Sequence, residues 1–309
     1  MKKSLQYNFC VLVLVLCGYL PVSAQQDPLF TQYMFNGIAL NPAYAGSHES
    51  VSISALYRNH WTGWNDGAGD TQTFSIHSPL NDNHVGLGLT VMRDKLWVTE
   101  RLDVLSNFAY RIHLGKGKLS FGLQLGARKF SLDLSKLQDV AKDLDPLLSD
   151  VNSTVFNFGT GVYYYSNKFF IGFSVPQLVR NKFDSDDLSV KEDRHYFLSA
   201  GYVLGNWGSV KFKPSVLIKA VEGAPISYDI NAHFLFLNDI LWLGASWRSY
   251  NSLNWMAEII IPKTNLRAGF SFDHDFNNTT RGLHGSSVEI LLNYRFKLNK
   301  DVPLTPRYF

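Results

Sequence analysis

Apolar and polar residues alternate along most of this chain. In "KLSFGLQLGARKF", Leu119, Phe121, Leu123 and Leu125 share one face, and Ser120, Gly122, Gln124 and Gly126 share the other. In "HVGLGLTVM", Val85, Leu87, Leu89 and Val91 oppose Gly86, Gly88, Thr90 and Met92. "NLRAGFSFD" sets Leu266, Ala268, Phe270 and Phe272 against Arg267, Gly269, Ser271 and Asp273. "SSVEILLNYRF" sets Val288, Ile290, Leu292, Tyr294 and Phe296 against Glu289, Leu291, Asn293 and Arg295. A period of two sends side chains to alternate faces of a β-strand. One face is Leu, Phe, Val and Tyr; the other is Gly, Ser and charge.

A soluble sandwich buries such an apolar face, and a transmembrane barrel turns it to lipid with its polar face toward the lumen. Three features favour the barrel. The segments run about ten residues, the length a tilted membrane strand needs, against five or six in soluble sheets. Apolar faces end in aromatics such as Tyr57, Tyr110, Trp242 and Trp255, as in an interfacial girdle. Connections alternate in length. The expected fold is all-β: a transmembrane antiparallel barrel of about 14 strands. The strands fall near 50–59, 70–78, 84–94, 100–112, 118–130, 154–165, 167–175, 193–204, 209–220, 225–236, 239–249, 253–262, 265–273 and 286–297. Long connections follow odd strands (60–69, 131–153, 176–192, 274–285). Tight ones follow even strands: Ser166–Asn167, Leu204–Gly208, Pro262–Thr264. An even count with short periplasmic turns predicts both termini in the periplasm.

The beginning of the chain fits export. Lys2 and Lys3, the apolar run from Phe9 to Leu16, and Val22-Ser23-Ala24 make a secretory signal peptide over residues 1–24, too short for a membrane span. Acylation of Cys17 is disfavoured by the bulky Leu16 before it. Both cysteines, Cys10 and Cys17, lie in this leader, so the mature chain of about 285 residues holds no disulfide, thiolate metal site or thiol nucleophile. The formal charge of +3 includes Lys2 and Lys3, leaving a nearly neutral protein without the clustered basic face of a nucleic-acid binder.

Between leader and first strand lies "QQDPLFTQYMFNGIALNPAYAGS", Gln25 to Ser47, aromatic and nearly uncharged, broken by Pro42 and Gly46. Next come "YRNHWTGW" (Tyr57 to Trp64) and the Gly-rich "VGLGLTV". Together these residues resemble the PorP/SprF family, outer-membrane proteins of the type IX secretion and gliding system of Bacteroidota. The first two stretches carry the resemblance; the later strands suit any barrel. The resemblance implies a cell outer membrane barrel whose partners are type IX translocon subunits and secreted cargo proteins with C-terminal sorting domains.

The expected organisation is a signal peptide (1–24), an N-terminal segment (25–48), the barrel (49–297) and a C-terminal tail (298–309). The N-terminal segment folds into the lumen or across its periplasmic mouth as a plug or docking element, or serves as an ordered arm capping the barrel edge. Its candidate residues are Tyr33, Asn36, Asn41, Pro42, Tyr44 and Gly46, with Arg58, Trp61 and Trp64 after it. Trp61 and Trp64 suit partner contact, although girdle or loop packing is the favoured reading. Arg58, Asp103, Asn107, Arg111, Arg128, Asp229, His233, Glu258, Arg267, Glu289 and Arg295 fall on lumen faces. Their mixed signs favour a mutually paired lumen over a selectivity lining.

Catalysis finds no support, and no cofactor or metal is expected. No Gly-x-Ser-x-Gly elbow occurs. Asp273, His274 and Asp275 are expected in an outer loop, and neighbours on a strand point to opposite faces. Asp184 to Asp187 lacks the spacing and glycine of an EF-hand. The alternative is a diffusion or hydrophobic-compound channel: fatty-acid transport barrels also carry an N-terminal plug with an Asn-Pro-Ala stretch, which Asn41 to Ala43 echoes. The barrel-assembly aromatic is Phe296 or Phe309, and Pro303 and Pro306 make the tail a poor strand.

Overall fold

The computed structural model describes residues 30–62, 69–80, 83–133, 150–184, 189–205, 210–249, 252–262, 264–276 and 286–296. The leader, Trp64 and the tail with Phe309 lie outside the described residues. Fourteen strands close an antiparallel barrel: β1 (Val51–Asn59), β2 (Asp70–Leu80), β3 (Val85–Leu96), β4 (Thr99–Leu114), β5 (Gly117–Leu132), β6 (Val151–Tyr165), β7 (Phe169–Val175), β10 (His195–Tyr202), β11 (Lys211–Val221), β12 (Ser227–Phe236), β13 (Leu241–Arg248), β14 (Ser252–Ile261), β15 (Leu266–Asp275) and β16 (Ser287–Phe296). Each strand pairs with its sequence neighbour, apart from a detour between β7 and β10. There β8 (Lys182–Asp184) and β9 (Ser189–Lys191) form a separate hairpin. The β1–β16 ladder, Val51↔Phe296 to Asn59↔Val288, closes the cylinder.

The alternation sorts as the sequence predicts. Leu123, Phe158, Phe270, Ile290 and Leu292 are outward and exposed, forming the lipid-facing band. Gly and polar residues of the same strands point inward and are buried. Tyr57, Tyr110 and Trp255 are outward at the ends of that band; Trp242 is not. It is buried and inward, because β13 reads "LWLGASWR", apolar at positions of both parities, and alternation alone cannot orient it.

The two ends differ. The β4–β5 turn is only Gly115 and Lys116, with Gly115 at φ 60°, the left-handed backbone that two-residue hairpins require. The opposite end carries the β1–β2, β5–β6, β7–β10 and β15–β16 connections. Short connections also occur at that end: β3 and β4 join through Trp97 and Val98 alone. Several strands also exceed the predicted ten residues. β4 and β5 have 16 residues and β6 has 15. Their pairing continues to Leu132↔Val151, while β7 pairs with β6 only from Thr160 to Tyr165. On its β7 side the β4–β6 wall therefore stands beyond its neighbour at the loop-rich end. The β8–β9 hairpin leans against its inner side, where Phe183 stacks on Phe130 at 4.8 Å.

Candidate functional site

The lumen is occupied by the chain's own N-terminal segment. Residues 30–50 form three short 3-10 turns, Tyr33–Phe35, Gly37–Ala39 and Pro42–Tyr44, and most of their side chains are buried. This segment runs lengthwise through the barrel. It starts beside the loop-rich ends of β1, β15 and β16 and descends to the tight-turn end, where β1 begins.

At the loop-rich end a charged cluster grips the backbone. The Glu289 carboxylate accepts the Thr31 N–H at 2.5 Å and the Gln32 N–H at 2.9 Å. The Thr31 hydroxyl donates to Asp273 at 2.7 Å. Arg58 bridges the two acids, bonding Glu289 and lying 2.8 Å from Asp273. Arg248 extends the cluster to Asp229, which also holds Lys219 at 3.2 Å. Three cations thus face three buried carboxylates. Each charge is taken out of water beside a partner, without which its burial would cost several kcal/mol. Behind Arg58, His60 accepts from the Arg58 Nε at 3.1 Å through Nδ1 and contacts Thr71 Oγ1 at 2.8 Å through Nε2. Thr71 donates onward to Asp94 at 2.6 Å, so Nε2 carries the proton. Burial, reinforced by the Arg58 charge, holds the His60 imidazole down at about 3.

One turn deeper, Asn231 donates to the Tyr33 hydroxyl at 2.6 Å, and Ser75 donates to Asn36 at 2.6 Å. Phe35 sits in a cage. The ring meets Trp242 at 5.6 Å and His233 at 5.9 Å, and Lys213 and Arg267 lie over it at 5.8 and 5.6 Å. Such cation–π contacts strengthen when water is excluded.

The lower half rests on glycines. Asn41 caps the third turn, accepting from Ala43 N–H at 2.9 Å, while its Nδ2 donates to the Val162 carbonyl at 3.1 Å. Pro42 takes the first position of that turn, where its missing N–H costs nothing. A Cβ at Gly86 would overlap Ala45 O, one at Gly122 would overlap Ala43 N, and one at Gly161 would overlap Asn41 Oδ1. Tyr44 packs among His77, His48 and Tyr163 and bonds His48 Nε2 at 2.8 Å. Gly46, at φ 69°, donates to His77 Nδ1 at 3.1 Å. Arg111 holds the Ala45 carbonyl at 2.8 Å.

Tyr33, Asn36, Asn41, Pro42, Tyr44 and Gly46 thus line up along the lumen, with Arg58 and Trp61 at its loop-rich end. Trp61 is half-buried there, its N–H bonded to Ser287 Oγ at 3.3 Å. Lumen charges pair with one another: Arg128 with Asp103 at 2.6 Å and Arg267 with Glu258 at 3.0 Å. Thr31, Gln32, Phe35 and the Trp242 cage were not legible beforehand; only the lumen-facing glycines signalled a backbone approaching closely. Asp273 and His274 lie on β15 rather than in a loop and point to opposite faces. Among the described residues no group of three or more His, Cys, Asp or Glu is placed to hold a metal.

The model of the family described as type IX secretion system membrane protein PorP/SprF matches residues 22–294. The chain belongs to this family. Membership, with the barrel, places it in the outer membrane as a type IX secretion component. No curated protein matches it significantly. Among solved structures, the PorP/SprF chain is similar to the CymD monoaromatic hydrocarbon channel (12% identity, TM-score 0.52, 85% of this chain and 93% of that one). It is also similar to a Pseudomonas aeruginosa FadL homologue (12% identity, TM-score 0.50, 87% and 95%). At such identities the likeness is one of fold alone.

Proposed function

We propose that this PorP/SprF barrel is a plugged accessory component of type IX secretion. It binds translocon subunits, or exported cargo bearing a C-terminal sorting domain, and holds them at the outer membrane without conducting solute or catalysing a reaction. The observation that carries the reading is the occupied lumen: residues 30–50 are hydrogen-bonded to strands on every side, which suits an anchoring platform better than a conduit. The loop-rich end faces outward, as the short periplasmic turns of bacterial barrels imply. In that orientation β16 ends on the periplasmic side and Phe30 faces the outer mouth; the mature N-terminus precedes the described residues.

The test is purification of the tagged protein from its native outer membrane in mild detergent, with mass spectrometry of what accompanies it. Recovery of translocon subunits, or of an exported protein through its C-terminal domain, supports the proposal. A bare barrel, recovered while other envelope complexes survive, overturns it. Deleting residues 31–45 separates plug from arm: loss of a plug raises single-channel conductance in planar bilayers, whereas loss of an edge-capping arm leaves it unchanged.

A further inference from the structure

Strand β6 has an edge that the barrel does not use. On one side it pairs with β5 along its whole length, Lys118↔Tyr165 to Leu132↔Val151. On the other, β7 stops at Thr160, and Leu178 N–H closes one more position by donating to the Phe158 carbonyl at 2.8 Å. Beyond that point, among the described residues, no strand pairs with 151–157 on this side; β8 comes close but pairs only with β9. Backbone groups point alternately to the two edges of a strand. Since the Phe158 carbonyl faces the unused edge, the N–H and C=O groups of Asn152, Thr154 and Phe156 face it too.

Its upper part, Asn152 to Thr154, lies past the apolar band, which Phe156 borders in register with Ala127, Val104 and Val91. Its outward neighbours Lys129, Asn152 and Thr154 are exposed and polar. At the same end of the wall, Arg93 pairs outward with Glu100 at 2.7 Å and with Asp70 at 3.6 Å, as befits water rather than acyl chains. Exposed edges are usually blunted by proline, lysine or a bulge. Val151-Asn152-Ser153-Thr154-Val155-Phe156 has neither proline nor lysine, and the Phe156 ring is 73% exposed, the most of any large apolar side chain described. An extended backbone is the ligand such an edge recognises, with Phe156 as a side-chain anchor next to the ladder.

We infer that residues 152–156 of β6 bind an extended strand of the exported partner by β-augmentation, continuing the β5–β6 ladder outside the membrane. That the partner is exported cargo rests on the proposed function; that the edge takes a strand does not.

A photo-crosslinking residue in place of Asn152, used in whole cells, reads the edge whoever occupies it. An adduct with an exported protein is expected. An adduct only with a protein that is not exported overturns the inference. Crosslinks confined to the chain itself, or none, overturn the edge and leave the detergent co-purification to judge the cargo reading. Thr154→Pro removes an N–H that faces the open side, not β5, so the barrel still assembles and shows its heat-dependent gel shift. It is expected to lower partner recovery roughly ten-fold. Recovery at the wild-type level overturns the inference. Phe156→Ala leaves the backbone intact and is read the same way, should the proline variant not assemble.

Discussion

Thr31 and Glu289 stand 258 positions apart and are joined by a 2.5 Å hydrogen bond from the Thr31 backbone to the Glu289 carboxylate. Glu289 also faces Arg58 across the β1–β16 seam, so one pair of the ladder that closes the cylinder also grips the lumen segment.

Glu289→Ala should leave Arg58 short of a partner and free the Thr31 and Gln32 N–H groups in a dry site. A buried pair broken from one side costs about 3–5 kcal/mol. The expected outcome is a lower temperature for the folded-to-unfolded gel shift, together with new protease cleavage within residues 30–40. The lipid-facing control Phe158→Ala should leave the segment protected.

Phe35→Ala empties the cage formed by Trp242, His233, Lys213 and Arg267. Loss of a buried phenylalanine costs about 3–5 kcal/mol, and here the loss falls on the lumen segment rather than on the wall. Intrinsic fluorescence of Trp242 should shift to longer wavelength as water enters, while far-ultraviolet circular dichroism keeps its strand content. An unchanged spectrum in a difference measurement against Trp242→Phe would count against the cage.

Gly122→Val should displace the segment without harming the wall. The atoms in its way are backbone atoms of Pro42 and Ala43, which cannot rotate aside. Valine itself favours a strand. Bilayer conductance should rise toward that of the variant lacking residues 31–45, and a folded Gly122→Val barrel that conducts like wild type would show the lumen to be looser than these contacts imply.

His60 makes the loop-rich end acid-sensitive. Its imidazole takes a proton at about 3 in the folded protein, against about 6.5 when unfolded. Between these values the unfolded state binds the extra proton. The stability contribution is fully present above about pH 6.5 and falls as the pH drops toward 3, by roughly 1.4 kcal/mol per unit. His60→Gln should flatten the pH dependence of thermal unfolding in that window. Equal slopes in variant and wild type would rule out this histidine as the source.

What the sequence determines by itself is local. A period of two places each side chain on one face of its strand, and a face that must meet lipid has to be apolar, so the fourteen strands, the outward band and the mixed-charge lumen follow from adjacent residues. Where both faces of a strand are apolar, as in β13, that logic runs out, and Trp242 was expected outside when it lies within. The tertiary structure alone decides which lumen charges pair, that residues 30–50 thread the barrel from the loop-rich end, and that Gly86, Gly122 and Gly161 are the seat on which they lie. Those contacts join positions as far apart as Thr31 and Glu289. They arise from the closure and register of the cylinder, which no stretch of neighbouring residues encodes.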